Sequence, residues 1–398
     1  MDFYDELGVR KIINASETYT KLGGSLMAAQ TLKAMSEAAS AFIDLDQLLD
    51  KVCGKAAFLT RNEGCFVTSG ASAGLILSTG ACMIRRSLES RWKKQHVKPS
   101  EDTYFLEAFP DGSEYTCNEV VVFKGDFRES VPYWKLIRLS GATIIDAPPA
   151  LEGLKAVVSQ RTAAAVLFPA PLYECGIPSC EEAIPVLKKL GVPVIVDASA
   201  QLPPVSNLWY YTRELGADLV IFSGGKHLRG PQSTGLIAGK KALTDLCRQL
   251  ASPHERLGRG FKTGKEELAG FITALELFVQ TPDEERFLRQ ETLLKQIAED
   301  LIQATEKLRI EFLREGRLGT YQPLLHVWLP EGCTAAECGR YTRGRSTPVD
   351  VGVYTKEFKM PENLLFLNAY NLQNEEEAKE TAKAVLEYIQ SRSTENRH

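Results

Sequence analysis

The sequence predicts an α/β protein, with a mostly parallel sheet covered by helices on both faces and a smaller α+β part after it. Three observations carry this. Short apolar runs recur through the first half, and they are unbroken rather than alternating, as in strands buried on both faces. Helical stretches or breakers separate them. After about residue 245 the character changes to long Glu-, Leu-, Ala-, Lys- and Gln-rich stretches.

The elements follow in order. Residues 65–68 form a strand that ends at Ser69-Gly70, and a breaker-poor helix runs from Ala71 to about Arg85. Residues 120–123, 143–145 and 163–168 are further strands. Ser179-Cys180-Glu181-Glu182 is a capping-box start for a helix that stops at Gly191. Residues 194–196 lead into Asp197, and 219–222 lead into Ser223-Gly224-Gly225-Lys226. Residues 266–308 read as two long helices, interrupted at Thr281-Pro282-Asp283. Residues 324–329 and 363–367 read as strands, and 375–390 as a final amphipathic helix. There is no internal repeat. The basic segment 85–104 reads as a solvated helix end and loop rather than a binding patch.

A chain of 398 residues is too long for one small core. The expected division is an N-terminal arm with part of the small domain over 1–50, a large domain over 51–250, and linking helices with the small C-terminal domain over 251–398. A net charge of −4 suggests no general affinity for nucleic acid or an anionic membrane. No stretch approaches the roughly 18 apolar residues of a membrane helix. The acidic N-terminus lacks the cationic and apolar regions of a signal peptide, so a cytoplasmic location is expected. The nine cysteines show no CxxC spacing and no neighbouring histidines at zinc-ligand spacing. They read as reduced and structural, and no metal is expected.

In a parallel sheet the ligand site lies at the carboxyl ends of the strands, so Ser69, Asp197, Ser223 and Lys226 are expected to converge. A lysine after a buried strand and two glycines can be desolvated, which lowers its pKa and frees the amine to form an imine. By itself Lys226 could equally be a loop or cap residue. Asp197, at a strand end, would need a partner if buried, and a protonated pyridine nitrogen is suitable. The small residues Ser69, Gly70, Ala71 and Ser72, between strand and helix, can cradle a phosphate with backbone N–H groups and the helix dipole, and Ser223 could add a hydroxyl. Amine, carboxylate and phosphate cradle together fit pyridoxal 5′-phosphate held as a Schiff base on Lys226.

That order of features resembles the aspartate-aminotransferase-type (type I) fold of pyridoxal-phosphate enzymes. Ser223-Gly224-Gly225-Lys226 with Leu228-Arg229-Gly230-Pro231-Gln232-Ser233-Thr234-Gly235 is similar to one branch of it. This branch is the family of selenocysteine synthase (L-seryl-tRNA(Sec) selenium transferase) and D-glucosaminate-6-phosphate ammonia-lyase. Residues 12–15, Gly176-Ile177-Pro178-Ser179, 197–204, Gly258-Arg259, Lys262 and 264–267 add to the resemblance. It implies a mostly parallel seven-stranded sheet in the large domain, and Asp197, Ser199 and Gln201 at the cofactor. Where the family often carries a histidine that stacks on the cofactor, this chain has Phe127, which can stack but cannot donate a proton. His227 stands where a small apolar residue is common. These departures point to a different substrate.

The resemblance implies a lyase that abstracts the Cα proton of an amino acid or amino-sugar acid, with Lys226 as base, and eliminates from Cβ in the manner of an ammonia-lyase. Racemase, aldolase or aminotransferase chemistry uses the same residues and is the alternative. Selenium transfer on seryl-tRNA fits the net charge less well. Glu17, Thr20, Arg229, Arg259, Lys262 and Arg345 are the substrate-contact candidates, with Tyr19, Asp126 and Arg343 as further ones. The expected partners are a small amino-acid-type substrate and a second subunit, in a homodimer or higher homo-oligomer, with segment 258–266 reaching the neighbouring site.

Overall fold

The computed structural model describes residues 2–95, 115–124, 132–169, 176–306, 308–354 and 358–395. Two compact units emerge, Ser25–Gln280 on the one hand and Met1–Gly24 with Thr281–His398 on the other. The boundaries expected at 50/51 and 250/251 both fall inside the first of these.

The larger unit is built on seven strands: β2 (Gly64–Thr68), β3 (Glu119–Phe123), β4 (Thr143–Ala147), β5 (Thr162–Leu167), β6 (Val194–Asp197), β7 (Leu219–Ser223) and β8 (Gly235–Gly239). Their order is β2-β8-β7-β6-β5-β3-β4. The neighbours from β7 to β4 are parallel, and β8 is antiparallel to both of its neighbours. Strands β5 and β6 are buried along their whole length, as their unbroken Val/Ile/Ala runs predict. The helix Gly70–Gln95 packs its apolar face, including Leu75, Leu77 and Ile84, into this core. The helix Cys180–Lys189 starts with the expected capping box: Ser179 Oγ accepts from the Glu182 N–H, and the Glu182 carboxylate accepts from the Ser179 N–H at 2.9 Å.

The smaller unit has β1 (Ile13–Ala15), β9 (Arg309–Leu313), β10 (Leu324–Trp328), β11 (Val349–Val353) and β12 (Leu364–Leu367), in the order β1-β11-β12-β10-β9. Residues 1–24 belong here because β1 pairs in parallel with β11, Ile13 opposite Val349. Leu294, Ile297, Leu325, Leu365, Val385 and Tyr388 form its core between the sheet and the helices Asp283–Ala304 and Glu375–Glu395.

No described helix is long and apolar enough to cross a membrane. Eight cysteines are free thiols among the described residues, and burial pushes the Cys65 and Cys247 thiols up to about 12. Among the described residues no cluster of His, Cys, Asp or Glu is arranged to hold a metal ion.

Candidate active site

Three strand ends and one strand start share an edge of the large sheet. β2 ends at Thr68, β7 at Ser223 and β6 at Asp197, and β8 begins at Gly235. Thr68 pairs with Gly235, Gly235 with Ser223, and Asp197 with Ile221. Register alone therefore brings the turn after Thr68, Ser223 and Asp197 together, with β8 inserted between the first two.

Lys226 lies in a loop that leaves β7 and returns as β8. The loop closes on itself through Gly224 N–H to Thr234 C=O (2.8 Å), Gly230 N–H to Gly224 C=O (2.8 Å) and Arg229 N–H to Lys226 C=O (3.0 Å). Both glycines are demanded by this closure: a Cβ on Gly224 would strike Thr234 Oγ1, and one on Gly225 would strike the Gln232 backbone. The two glycines thus make room for the loop's own returning arm. Lys226 is partly buried and His227 buried. Ser25 fastens the loop from outside, its N–H donating to Gly225 C=O (3.0 Å) and its Oγ to Lys226 C=O (2.6 Å). Phe271, in the buried face of the helix Lys265–Gln280, backs Gly224.

The turn after β2 provides the second part. Gly70 adopts the left-handed φ of +83°, which favours glycine, and opens the helix Gly70–Gln95. Thr68 Oγ1 donates to Gly70 C=O at 2.9 Å. The N–H groups of the first helical turn are left unpaired by the helix itself and carry its positive dipole end. Ser69, Gly70 and Ala71 are partly buried and Ser72 is exposed. Where a Cβ on Gly70 would stand, no atom lies within 4 Å.

Asp197 is 5% exposed, and its Oδ1 accepts from Ser199 N–H at 3.1 Å. Gln201 is buried, but its Nε2 donates to Pro169 C=O at 2.6 Å, so its amide is at least partly engaged in bracing the chain. Phe127 and Asp126 lie outside the described residues.

The remaining candidates are divided between the two units. Arg229 is partly buried with φ +55°, while Arg259 and Lys262 are exposed on the segment before the helix Lys265–Gln280. Glu17, Thr20 and Arg345 belong to the smaller unit. Glu17 accepts from Asn368 Nδ2 at 3.4 Å, and Thr20 is exposed. Arg345, expected among the substrate contacts, instead spans Glu380 (2.8 Å) and Glu387 (2.7 Å) with only 11% of its side chain exposed. Arg343 is paired with Asp350. Sequence reasoning missed Ser25, which carries no local signal, and Gly235, whose place at the head of an apolar run was the available clue.

A family model for L-seryl-tRNA selenium transferase matches residues 176–321. D-glucosaminate-6-phosphate ammonia lyase of Salmonella typhimurium (strain 14028s / SGSC 2262) is 30% identical over 287 residues, 70% of each chain. The chain belongs to the family of this ammonia lyase. A second family relative, 5′-C-glycyluridine monooxygenase-decarboxylase of a Streptomyces species, is 29% identical over 72% of this chain and 68% of its own. The solved structure of a D-glucosaminate-6-phosphate ammonia-lyase superposes with a TM-score of 0.77 at 24% identity, covering 99% of both chains. The fold is therefore the expected type I fold of pyridoxal-phosphate enzymes.

Proposed function

We propose that the chain is a lyase using pyridoxal 5′-phosphate on an amino acid or amino-sugar acid, by Cα proton abstraction and loss of a group from Cβ. The observation that carries this reading is the shared sheet edge, where register unites the 69–72 turn, Ser223 and Asp197 beside the closed loop of Lys226.

The residues present fit the cofactor: an amine on a rigid loop, a buried carboxylate, and a helix N-terminus preceded by open space at Gly70. Lys226 Nζ would hold its aldehyde carbon covalently, Asp197 its ring nitrogen, and Ser69–Ser72 with Ser223 its phosphate, with Ser199 and Gln201 alongside. When bound, the cofactor supplies the electron sink for substrate Cα. Asp197 would supply a carboxylate to the ring nitrogen, and Lys226 Nζ would take the substrate's Cα proton. With a hydroxyl on Cβ, water is lost and then regained, so the net products are ammonium and a 2-oxo acid. Arg229 is the cation nearest in sequence to Lys226 for the substrate's anionic group. Arg259 and Lys262 are assigned to the neighbouring site of a homo-oligomer, which the exposed Phe42 and Phe58 support. The cytoplasm, where such a cofactor and free thiols persist, is the proposed location.

The test is release of ammonium and a 2-oxo acid from a panel of 2-amino-3-hydroxy acids, phosphorylated and not. A relative named a monooxygenase-decarboxylase at 29% identity shows that family membership alone does not set the reaction, so racemisation, aldol cleavage and transamination are assayed on the same panel. Racemisation without ammonium release would replace the lyase reading.

A further inference from the structure

In the smaller unit, Arg317 has no carboxylate in ion-pair reach among the described residues. Arg317 lies in the tight connection from β9 to β10, fastened by Gly316 N–H to Thr320 C=O (2.9 Å), Gly319 N–H to Gly316 C=O (2.9 Å) and Gln322 N–H to Thr320 C=O (2.8 Å). A Cβ on Gly316 would come within 2.5 Å of Gln322 Nε2 and would also strike Thr320 Oγ1, so the loop leaves its arginine little freedom of position.

Three aromatic rings frame the side chain. Arg317 Cζ is 4.9 Å from the ring centroid of Phe358, 5.5 Å from that of Phe366 and 5.8 Å from that of Tyr19. Its Nε is buried and makes no hydrogen bond, although the residue as a whole is partly exposed. Among the described residues no carboxylate is in ion-pair reach of it. Arg286, Arg343, Arg345 and Arg392 of the same unit each have one. Lys21, without a carboxylate in ion-pair reach among the described residues, adds a second cation 5.2 Å from the Tyr19 ring centroid.

Ring faces do not replace an acceptor. They attract a cation through its flat face, but guanidinium N–H groups point along its plane and need oxygen there. A buried N–H without an acceptor costs stability, and a planar or tetrahedral oxyanion meets two such groups at once. Tyr354 packs on Phe366 (4.8 Å between centroids), hydrogen-bonds His326 Nε2 at 2.6 Å, and keeps its proton because burial pushes it up to about 12. Glu17 and Arg317 both act on Tyr354, the first raising its pKa and the second lowering it.

We infer that Arg317, framed by Tyr19, Phe358 and Phe366 with Lys21 nearby, is the binding site for a small oxyanion, a carboxylate or a phosphoryl group. This site involves neither Lys226 nor a cofactor, and its test does not measure turnover. Sodium acetate and sodium phosphate are titrated calorimetrically into the full chain at constant chloride-set ionic strength. At least one is expected to bind, with Arg317→Gln weakening it about tenfold or more, Arg317→Lys weakening it less, and the exposed Lys383→Gln leaving it unchanged. Acetate alone identifies a carboxylate, and phosphate alone a phosphoryl group. Should Arg317→Gln fail to fold, a loss of affinity in Arg317→Lys decides, because lysine keeps the charge but not the planar fork. Failure of both anions to bind, or equal binding by wild type and the folded Arg317 variants, overturns the inference.

Discussion

Gly235 stands so close to the start of the helix Gly70–Gln95 that a Cβ on it would lie 2.5 Å from the Gly70 carbonyl carbon and 2.7 Å from the Ala71 nitrogen. Both neighbours are backbone and cannot swing away. β8 thereby lies directly against the turn proposed as the phosphate cradle. Gly235→Ala is expected to cost about 1–3 kcal/mol of stability through this overpacking, measured by urea unfolding, and to weaken pyridoxal phosphate more than a core substitution of equal destabilisation. Unchanged cofactor affinity would detach the cradle from this contact.

Ser25 reaches the Lys226 carbonyl oxygen at 2.6 Å, from 201 residues away in sequence. Ser25→Ala removes this bond and leaves a carbonyl lone pair unmet, an expected loss of about 1 kcal/mol. Its further expected effect is slower cofactor capture by a loosened lysine loop, read by stopped-flow absorbance after addition of pyridoxal phosphate to the apoprotein.

Much of the candidate site was legible because its residues sit at or near the ends of buried runs. Strands β5, β6 and β7 are continuous apolar segments; Asp197 ends β6, Ser223 ends β7, and Lys226 comes three residues later. What stayed hidden depends on pairing between distant segments. β8 is a five-residue Gly-containing run that reads as the tail of the lysine segment, and only its ladders with β2 and β7 make it a strand. Residues 1–24 join the C-terminal unit through the three-residue β1, too short to carry a periodic signal. Arg345 looks like any exposed cation in the sequence until the helix Glu375–Glu395 brings Glu380 and Glu387 to it.

The Arg345 cluster predicts acid behaviour. Arg345 is the chief cause that holds the Glu387 carboxyl below its ordinary value. A depressed folded-state pKa means stabilisation that is fully present above the unfolded value of about 4.3 and fades as pH falls through the folded one. Because water screens the partly exposed glutamates, Arg345→Met should lose only about 1 kcal/mol at neutral pH and show a shallower decline below about pH 5 than wild type. Parallel unfolding curves across that range would remove Glu387 from the account.

Asp197→Asn separates charge from shape at the buried carboxylate. The variant is expected to keep bound cofactor and its colour, while turnover falls roughly a hundredfold or more because the ring nitrogen loses its negative partner. Turnover within a few-fold of wild type would show that Asp197 acts only by bracing Ser199.

The most direct measurement concerns Lys226. Purified protein with added pyridoxal phosphate should show a visible absorbance band that borohydride abolishes, with the cofactor's mass then found on the peptide carrying Lys226. Lys226→Ala should give neither the band nor the labelled peptide. A colourless wild type, or a label on another lysine with Lys226→Ala still coloured, would contradict the assignment.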